Sequence, residues 1–229
     1  MHIGHRNDRT NYTIYGNTLL KTEVEKDLGI LVADNLKASS HVAAIAAKAN
    51  SRIGIIKRNF EFIDKEIFLP LYLTLVRPIL EYAVQCWSPH LQQDIDVLEK
   101  VQRRATKVVP ELAHLSYEQR YRELGLQTLK ERRLRGDMIE VYKLLNGLED
   151  IDYRKFFRLS NRRSRGHSLK LEKVQCRTTL RANYFSLRVV NPWNALPQEV
   201  VEAPSISAFK SRYDRHISGN LQGQYLGLA

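Results

Sequence analysis

Sulfur is scarce in this chain. Its 229 residues include only two cysteines, Cys86 and Cys176, far apart along the sequence. Neither has a second Cys nearby, which excludes a zinc knuckle and leaves no metal site legible. Both read as buried free thiols of a reducing compartment. Long apolar runs are missing as well. The longest, Ile67 to Val76, is interrupted by Pro70 and falls well short of the roughly 20 residues a helix needs to cross a bilayer. No apolar signal core opens the chain, because His2, His5, Arg6, Asp8 and Arg9 break it up. Together these absences predict an intracellular protein, of nucleus or cytoplasm, with no membrane partner. A Gly-rich phosphate loop, a zincin motif and a local Ser/His/Asp signature are also absent, which removes the usual sequence marks of nucleotide, metalloprotease and hydrolase chemistry.

What the chain does have is positive charge. Hydrophobic residues make up 43% and charged residues 27%, both ordinary for a globular protein with a sizeable core. However, 36 Lys and Arg against 25 Asp and Glu give a net charge of +11 and a pI near 9.7. Such a balance points to a polyanionic partner, RNA or DNA first, although acidic proteins share the signature. The charge is also concentrated. From Arg154 to Arg188 there are eleven basic residues and one acid, Glu172, so this window nearly accounts for the whole excess. Within it, Arg158, Arg162, Arg163, Arg165 and Arg181 are candidate nucleic-acid contacts, since a guanidinium fork can bond two phosphate oxygens at once. Phe156, Phe157, Tyr184 and Phe185 interleave with them as rings on which bases could stack. The competing reading is a flexible basic loop or an import signal.

The densest apolar stretch runs from Phe68 to Lys107. Leu71, Leu75, Leu80, Val84 and Trp87 recur at near-helical spacing, and Ile95, Leu98, Val101, Ala105 and Val108 repeat the pattern beyond Ser88-Pro89. This predicts amphipathic helices broken at Pro78 and Pro89, with an Arg77–Glu81 pair across one turn and a Glu99–Arg103 surface pair. Arg103, Arg104 and Lys107 take the polar side. Before this stretch, Ser39 or Ser40 can cap a helix with Val42, Ile45, Ala49, Ile53 and Ile56 on one face. Lys48, Arg52, Lys57 and Arg58 lie on or near the other, as a solvated or a phosphate-contacting face. After it, Ser116–Gln119 and Thr128–Glu131 have capping-box spacing. The second box opens a helix with Leu134, Met138, Val141, Leu145 and Leu148 as its stripe. On that helix Arg132, Arg133 and Arg135 read as a solvated face. The opening residues read as strands, with a turn at Gly16-Asn17 and a short apolar run from Leu28 to Val32. Thr178 to Val190 alternates in places and reads as a strand or an extended segment. Trp193 reads as a core anchor ahead of a helix from Ser205, with Ile206, Phe209 and Tyr213 facing in.

The wording of several stretches carries more than their periodicity. LYLTLVRPILEYAVQCWSP followed by DIDVLEKVQRRATK, then SYEQRYRELGLQTLKERRLRGDMIEVYKLLNG and SLRVVNPWNALPQEVVEAPSISAFKSRYDRHI, resemble in order the region downstream of the catalytic palm in reverse transcriptases of non-LTR retrotransposons, the jockey/CR1-like LINE elements. The resemblance implies a Met-His-Ile-Gly strand at the palm edge, and it makes Lys26, Asp27, Leu28 and Gly29 primer-grip-like. It also implies a helical thumb lying along a template–primer duplex. On this reading Met1 falls inside what would be a longer polypeptide. The resulting fold expectation is mostly α: a hairpin remnant of a polymerase palm, a thumb-like helical bundle, and a basic, partly extended C-terminal region. The segments would be 1–36 palm-edge and primer-grip strands, 37–150 thumb-like helical bundle, 151–190 Arg-rich segment, 191–218 Trp-Asn-x-Leu-Pro box with a helix, and 219–229 flexible tail.

The family's Phe/Tyr-Ala-Asp-Asp turn, whose carboxylates would hold two metal ions, is not in this sequence. Asp27, Asp34, Asp94, Asp96, Asp150 and Asp152 are the conceivable substitutes, and none follows an aromatic-Ala strand turn. The expectation is therefore a chain that binds RNA or DNA without sequence preference and has no catalytic residues and no cofactor of its own; the alternatives are a protein-interaction module or a non-functional relic of the element. Magnesium belongs to the complete polymerase, whose remaining portion is a further candidate partner.

Overall fold

The computed structural model describes residues 1–4, 7–161 and 166–226. Strands β1 (Thr13–Ile14), β2 (Asn17–Thr18), β3 (Val24–Asp27) and β4 (Ile30–Ala33) open the chain, and helices dominate the rest, as the hydrophobic periodicity predicted. The chain forms two compact units, Met1–Arg133 and Leu134–Ala229.

In the first unit the strands pair as two antiparallel hairpins, where the sequence suggested one hairpin and a further strand. In β1–β2, Ile14 pairs with Asn17, so the turn is Tyr15-Gly16, one residue earlier than read. Both turn residues have positive φ, 49° and 79°, the backbone of a turn whose twist matches that of the flanking strands. The β3–β4 turn, Leu28-Gly29, repeats the device with φ of 45° and 89°. Ile30 and Ala33 of β4 are buried, and the Leu31 N–H donates to His41 Nδ1 at 3.2 Å, tying the hairpin to the first helix.

That helix, α1 (Ser39–Asn59), buries the whole expected stripe, with His41 and Ala46 added. Neither serine caps it. Ala38 is the N-cap, and Ser39 Oγ instead donates to Asp94 at 2.8 Å. Next, α2 (Lys65–Leu71) begins at Asp64, whose carboxylate accepts the Ile67 N–H. It continues through a π-helical turn, Tyr72–Val76, into α3 (Arg77–Glu81). Pro78 therefore does not end the helix. A proline has no N–H, and its ring crowds the carbonyl four residues back; one widened turn just before it relieves both problems. The corner comes later, at Ala83, whose φ is +49°, and at Ser88-Pro89, flanking α4 (Val84–Trp87).

Then α5 (Gln92–Thr106) and α6 (Tyr117–Glu123) pack into the same core. Inside it, Tyr72 OH donates to Gln102 Oε1 at 2.7 Å, and Gln102 Nε2 donates to Tyr117 OH and to the Gln127 carbonyl, both at 3.0 Å. Burying these polar atoms is affordable because each has a partner. Both expected capping boxes form. Ser116 and Gln119 cap α6 reciprocally, and Thr128 with Glu131 does so for α7 (Leu129–Leu145). The boundary between the units falls within α7.

On α7 the buried residues beyond the boundary are Asp137, Met138, Val141, Tyr142 and Leu144, while Leu134 and Leu148, placed on the stripe by spacing, are exposed. The second unit continues with α8 (Thr179–Ala182), α9 (Phe185–Arg188), α10 (Val190–Asn194), α11 (Gln198–Val201) and α12 (Ile206–Leu226). The 178–190 stretch is thus helical rather than extended: Thr178 accepts the Arg181 N–H and caps α8, a local signal that alternation hid. Trp193 is fully buried and Phe209 stacks on it at 6.1 Å, so the anchor role is met. Helical backbone continues past residue 218 to Leu226. Both cysteines are exposed, not buried. Cys86 lies between Val84 and Trp87, which take the inner side of α4, and Cys176 lies in the exposed run 172–179. No helix among the described residues is long and apolar enough to cross a membrane.

Candidate nucleic-acid interface

The basic side chains divide into those held by acids and those left free, and the division differs from the one the sequence suggested. Arg132, read as part of a solvated face, forms two 2.9 Å bonds to Glu81, which also accepts Arg77 at 3.7 Å. Arg133 is buried, and Arg135 grips both oxygens of Asp214 at 2.6 and 2.8 Å. Arg188 does the same to the buried Asp137 at 2.9 Å. Lys143 bonds Glu149 at 2.6 Å, and that bond, against the opposing effect of burial, pushes its pKa up. These cations are structural.

Among the cations without an ion pair in the described residues are two groups on α1 and α5. Lys48, Arg52, Lys57 and Arg58 are all exposed, and none forms an ion pair among the described residues. Lys48 and Arg52 are one turn apart on one side of α1. Lys57, nine residues from Lys48, falls about 180° round at ~100° per residue. The four therefore do not share a face.

On α5, Arg103, Arg104 and Lys107 are exposed together with Lys100, which the sequence reading omitted. The four stand at i, i+3, i+4 and i+7, one continuous stripe about 10 Å long. The signal for Lys100 was this spacing itself. Its neighbour Glu99 does not pair with Arg103 as expected. Glu99 accepts from Tyr117 OH and from the Lys130 N–H, both at 3.0 Å, and faces that side of α5. Arg103 lies 5.0 Å over the Tyr117 ring instead, which steadies the guanidinium while leaving its donors free for an anion. Burial, reinforced by Glu99, holds the Tyr117 phenol far above its ordinary pKa, so it stays a neutral donor. The Ser39–Asp94 bond joins the starts of α1 and α5, which pack on each other. Lys48 and Arg103 each lie about 14 Å along their own helix from that joint.

Lys26 and Asp27 are exposed on β3, and Leu28 and Gly29 form the β3–β4 turn, where the Leu28 carbonyl accepts Tyr82 OH at 3.2 Å. In the second unit, Arg158 is exposed and Arg181 is exposed over the Tyr184 ring at 5.3 Å. Arg162, Arg163 and Arg165 lie outside the described residues. The rings read as base-stacking platforms mostly pack on one another: Phe157 is buried, and Phe185 meets it edge-on at 5.7 Å and Phe156 at 6.4 Å. Phe156, at 43% exposure, keeps an open face.

Among the conceivable carboxylates, Asp94 is buried against Ser39, and Asp96 accepts from Gln92 at 2.8 Å. No group of three or more His, Cys, Asp or Glu stands together among the described residues. Comparison with protein-family models, with curated proteins and with solved structures finds no match to this chain.

Proposed function

We propose that this chain is a region of a non-LTR retrotransposon reverse transcriptase outside the catalytic centre, and that it binds RNA or DNA without sequence preference and without polymerase turnover. The observation that carries the binding half is the α5 stripe. Lys100, Arg103, Arg104 and Lys107 form an exposed row with no acid committed to any of them among the described residues, where six other cations are paired with carboxylates. Exposed cations at helical spacing meet a phosphate backbone at little desolvation cost and carry no sequence information. The family half rests on the resemblance of sequence alone. Titrating a labelled 20-bp duplex at rising salt tests the binding. Affinity should fall steeply with salt, and Lys100, Arg104 and Lys107 to Glu should weaken it far more than Lys65→Glu. Charge reversal at Arg162, Arg163 and Arg165 tests the second candidate set in the same assay. Equal effects of the stripe and control changes, or no binding at low salt, would sink the proposal.

A second reading is a protein-interaction module, favoured by apolar side chains on the hairpins. Tyr15 is 99%, Leu20 90% and Leu28 83% exposed, beside strand edges that are open among the described residues. Capture of a partner that survives nuclease treatment, and is lost when those three residues become Lys, would favour it.

A further inference from the structure

The Trp-Asn pair at 193–194 does more than fill the core of the second unit. The Asn194 amide bonds both backbone groups of Leu171: its Oδ1 accepts the Leu171 N–H and its Nδ2 donates to the Leu171 carbonyl, both at 2.8 Å. Two residues back, the Leu169 carbonyl accepts Trp193 Nε1 at 2.8 Å. Two further back, His167 Nε2 lies 3.1 Å from the Trp193 carbonyl, to which it can only donate. Residues 167, 169 and 171 alternate, so one edge of an extended segment is held entirely by the end of α10.

The other edge of that segment is paired too. Leu159 bridges to Leu171, Ser160 N–H donates to the Lys170 carbonyl at 2.7 Å, and Glu172 N–H donates to the Arg158 carbonyl at 2.8 Å. This is the register in which Leu171 turns its own N–H and C=O away from 159, toward Asn194. With Leu171 buried, the pleat sends its neighbours to the opposite face, and Arg158 there is exposed. The basic segment is thus fastened where an extended chain bearing many like charges would otherwise spread.

We propose that Trp193, Asn194 and His167 are positioning residues: they hold 167–171 in register with 158–160, so that Arg158 is presented to a polyanion in a fixed geometry. This rests on the nucleic-acid-binding reading above. None of the three touches the polyanion. The ordering is done beforehand, so it is not charged against binding.

Asn194→Ala is the informative variant, because it removes two hydrogen bonds and no charge. Hydrogen exchange at the Leu171 amide should speed up about tenfold or more. Affinity for a labelled 20-bp duplex at ~50 mM salt should fall several-fold, and the log–log salt slope should become shallower by about one, although no cation was removed. Near-ultraviolet dichroism from the buried Trp193 reports whether the unit remains folded. His167→Gln keeps a donor for the Trp193 carbonyl and should behave like the parent, whereas His167→Phe should stay folded yet lose affinity and flatten the slope, and it takes the place of Asn194→Ala if that variant unfolds. Arg158→Glu should weaken binding while Leu171 exchange stays unchanged. Leu171 protection that survives Asn194→Ala overturns the clamp. Lost protection with unchanged affinity and slope overturns the positioning role and leaves the nucleic-acid reading standing. Failure of the parent protein to bind the duplex at low salt removes both, and the Leu171 exchange then shows only that the clamp exists.

Discussion

At the scale of single residues, a nearby carboxylate decides the fate of Arg132, Arg135 and Arg188. Arg188 and Asp137 form a two-bond pair with the acid 4% exposed, so removing the cation strands a buried charge. Arg188→Ala should cost about 3–5 kcal/mol of stability, read from the urea midpoint by a probe in the second unit. Arg158→Ala, at an exposed site, should stay within about 0.5 kcal/mol. The histidines give a pH signature. Burial pushes both His41 and His167 below the ordinary 6.5; His41 Nδ1 is also engaged as acceptor of the Leu31 N–H, whereas the bond from His167 Nε2 to the Trp193 carbonyl works against burial without overcoming it. The unfolded chain takes up protons near that value, whereas the folded one resists. Stability is therefore full above pH 6.5 and declines as pH falls below it toward the depressed folded values. Urea midpoints at about pH 7.5 and 5.5 should show the drop, and His41→Asn should remove part of it. Equal midpoints in the parent would show that these imidazoles do not keep their neutral form.

At the scale of elements, the run from α2 to α4 shows how two awkward residues are accommodated. The π-helical turn absorbs Pro78, and Ala83 takes the left-handed conformation that lets α4 leave α3 at an angle. A residue with a Cβ is strained there, so Ala83→Gly should raise stability by about 0.5–1 kcal/mol despite glycine's greater freedom when unfolded. A fall in thermal midpoint would refute the strain. On α5 the stripe belongs to the helix and not to any one residue. Replacing Lys100, Arg104 and Lys107 together by Glu should reduce duplex affinity at least tenfold at ~50 mM salt and flatten the salt slope by about three. The helix should survive, because its buried side, Leu98, Val101 and Ala105, is untouched.

At the scale of the whole molecule, the net charge of +11 sets how association depends on salt. Raising salt from about 50 to 200 mM should weaken duplex binding by on the order of 10²-fold or more if four or more phosphates are met. Binding that ignores salt would mean that the charge excess plays no part. The two units carry different portions of the candidate surface. The α1 and α5 cations belong to the first, and Arg158 and Arg181 belong to the second. A charge count along the chain placed the excess at 154–188, yet within that window Arg188 is consumed by Asp137, and Arg154 lies 3.0 Å from Asp152. The count could not see this, because both acids lie outside the window.

Periodicity and local capping were enough to determine the helical class, the buried faces of α1 and α5, both capping boxes and the anchor role of Trp193. Each of these depends on residues within a few positions of one another. The separation of free from spent cations, the release of Glu99 from Arg103, the exposure of both cysteines and the grip of Asn194 on Leu171 were decided only by the tertiary structure. Apart from the local Lys143–Glu149 and Arg154–Asp152 pairs, these join residues about 20 to 80 positions apart, or depend on which side of a short helix faces inward, and linear spacing carries neither kind of information.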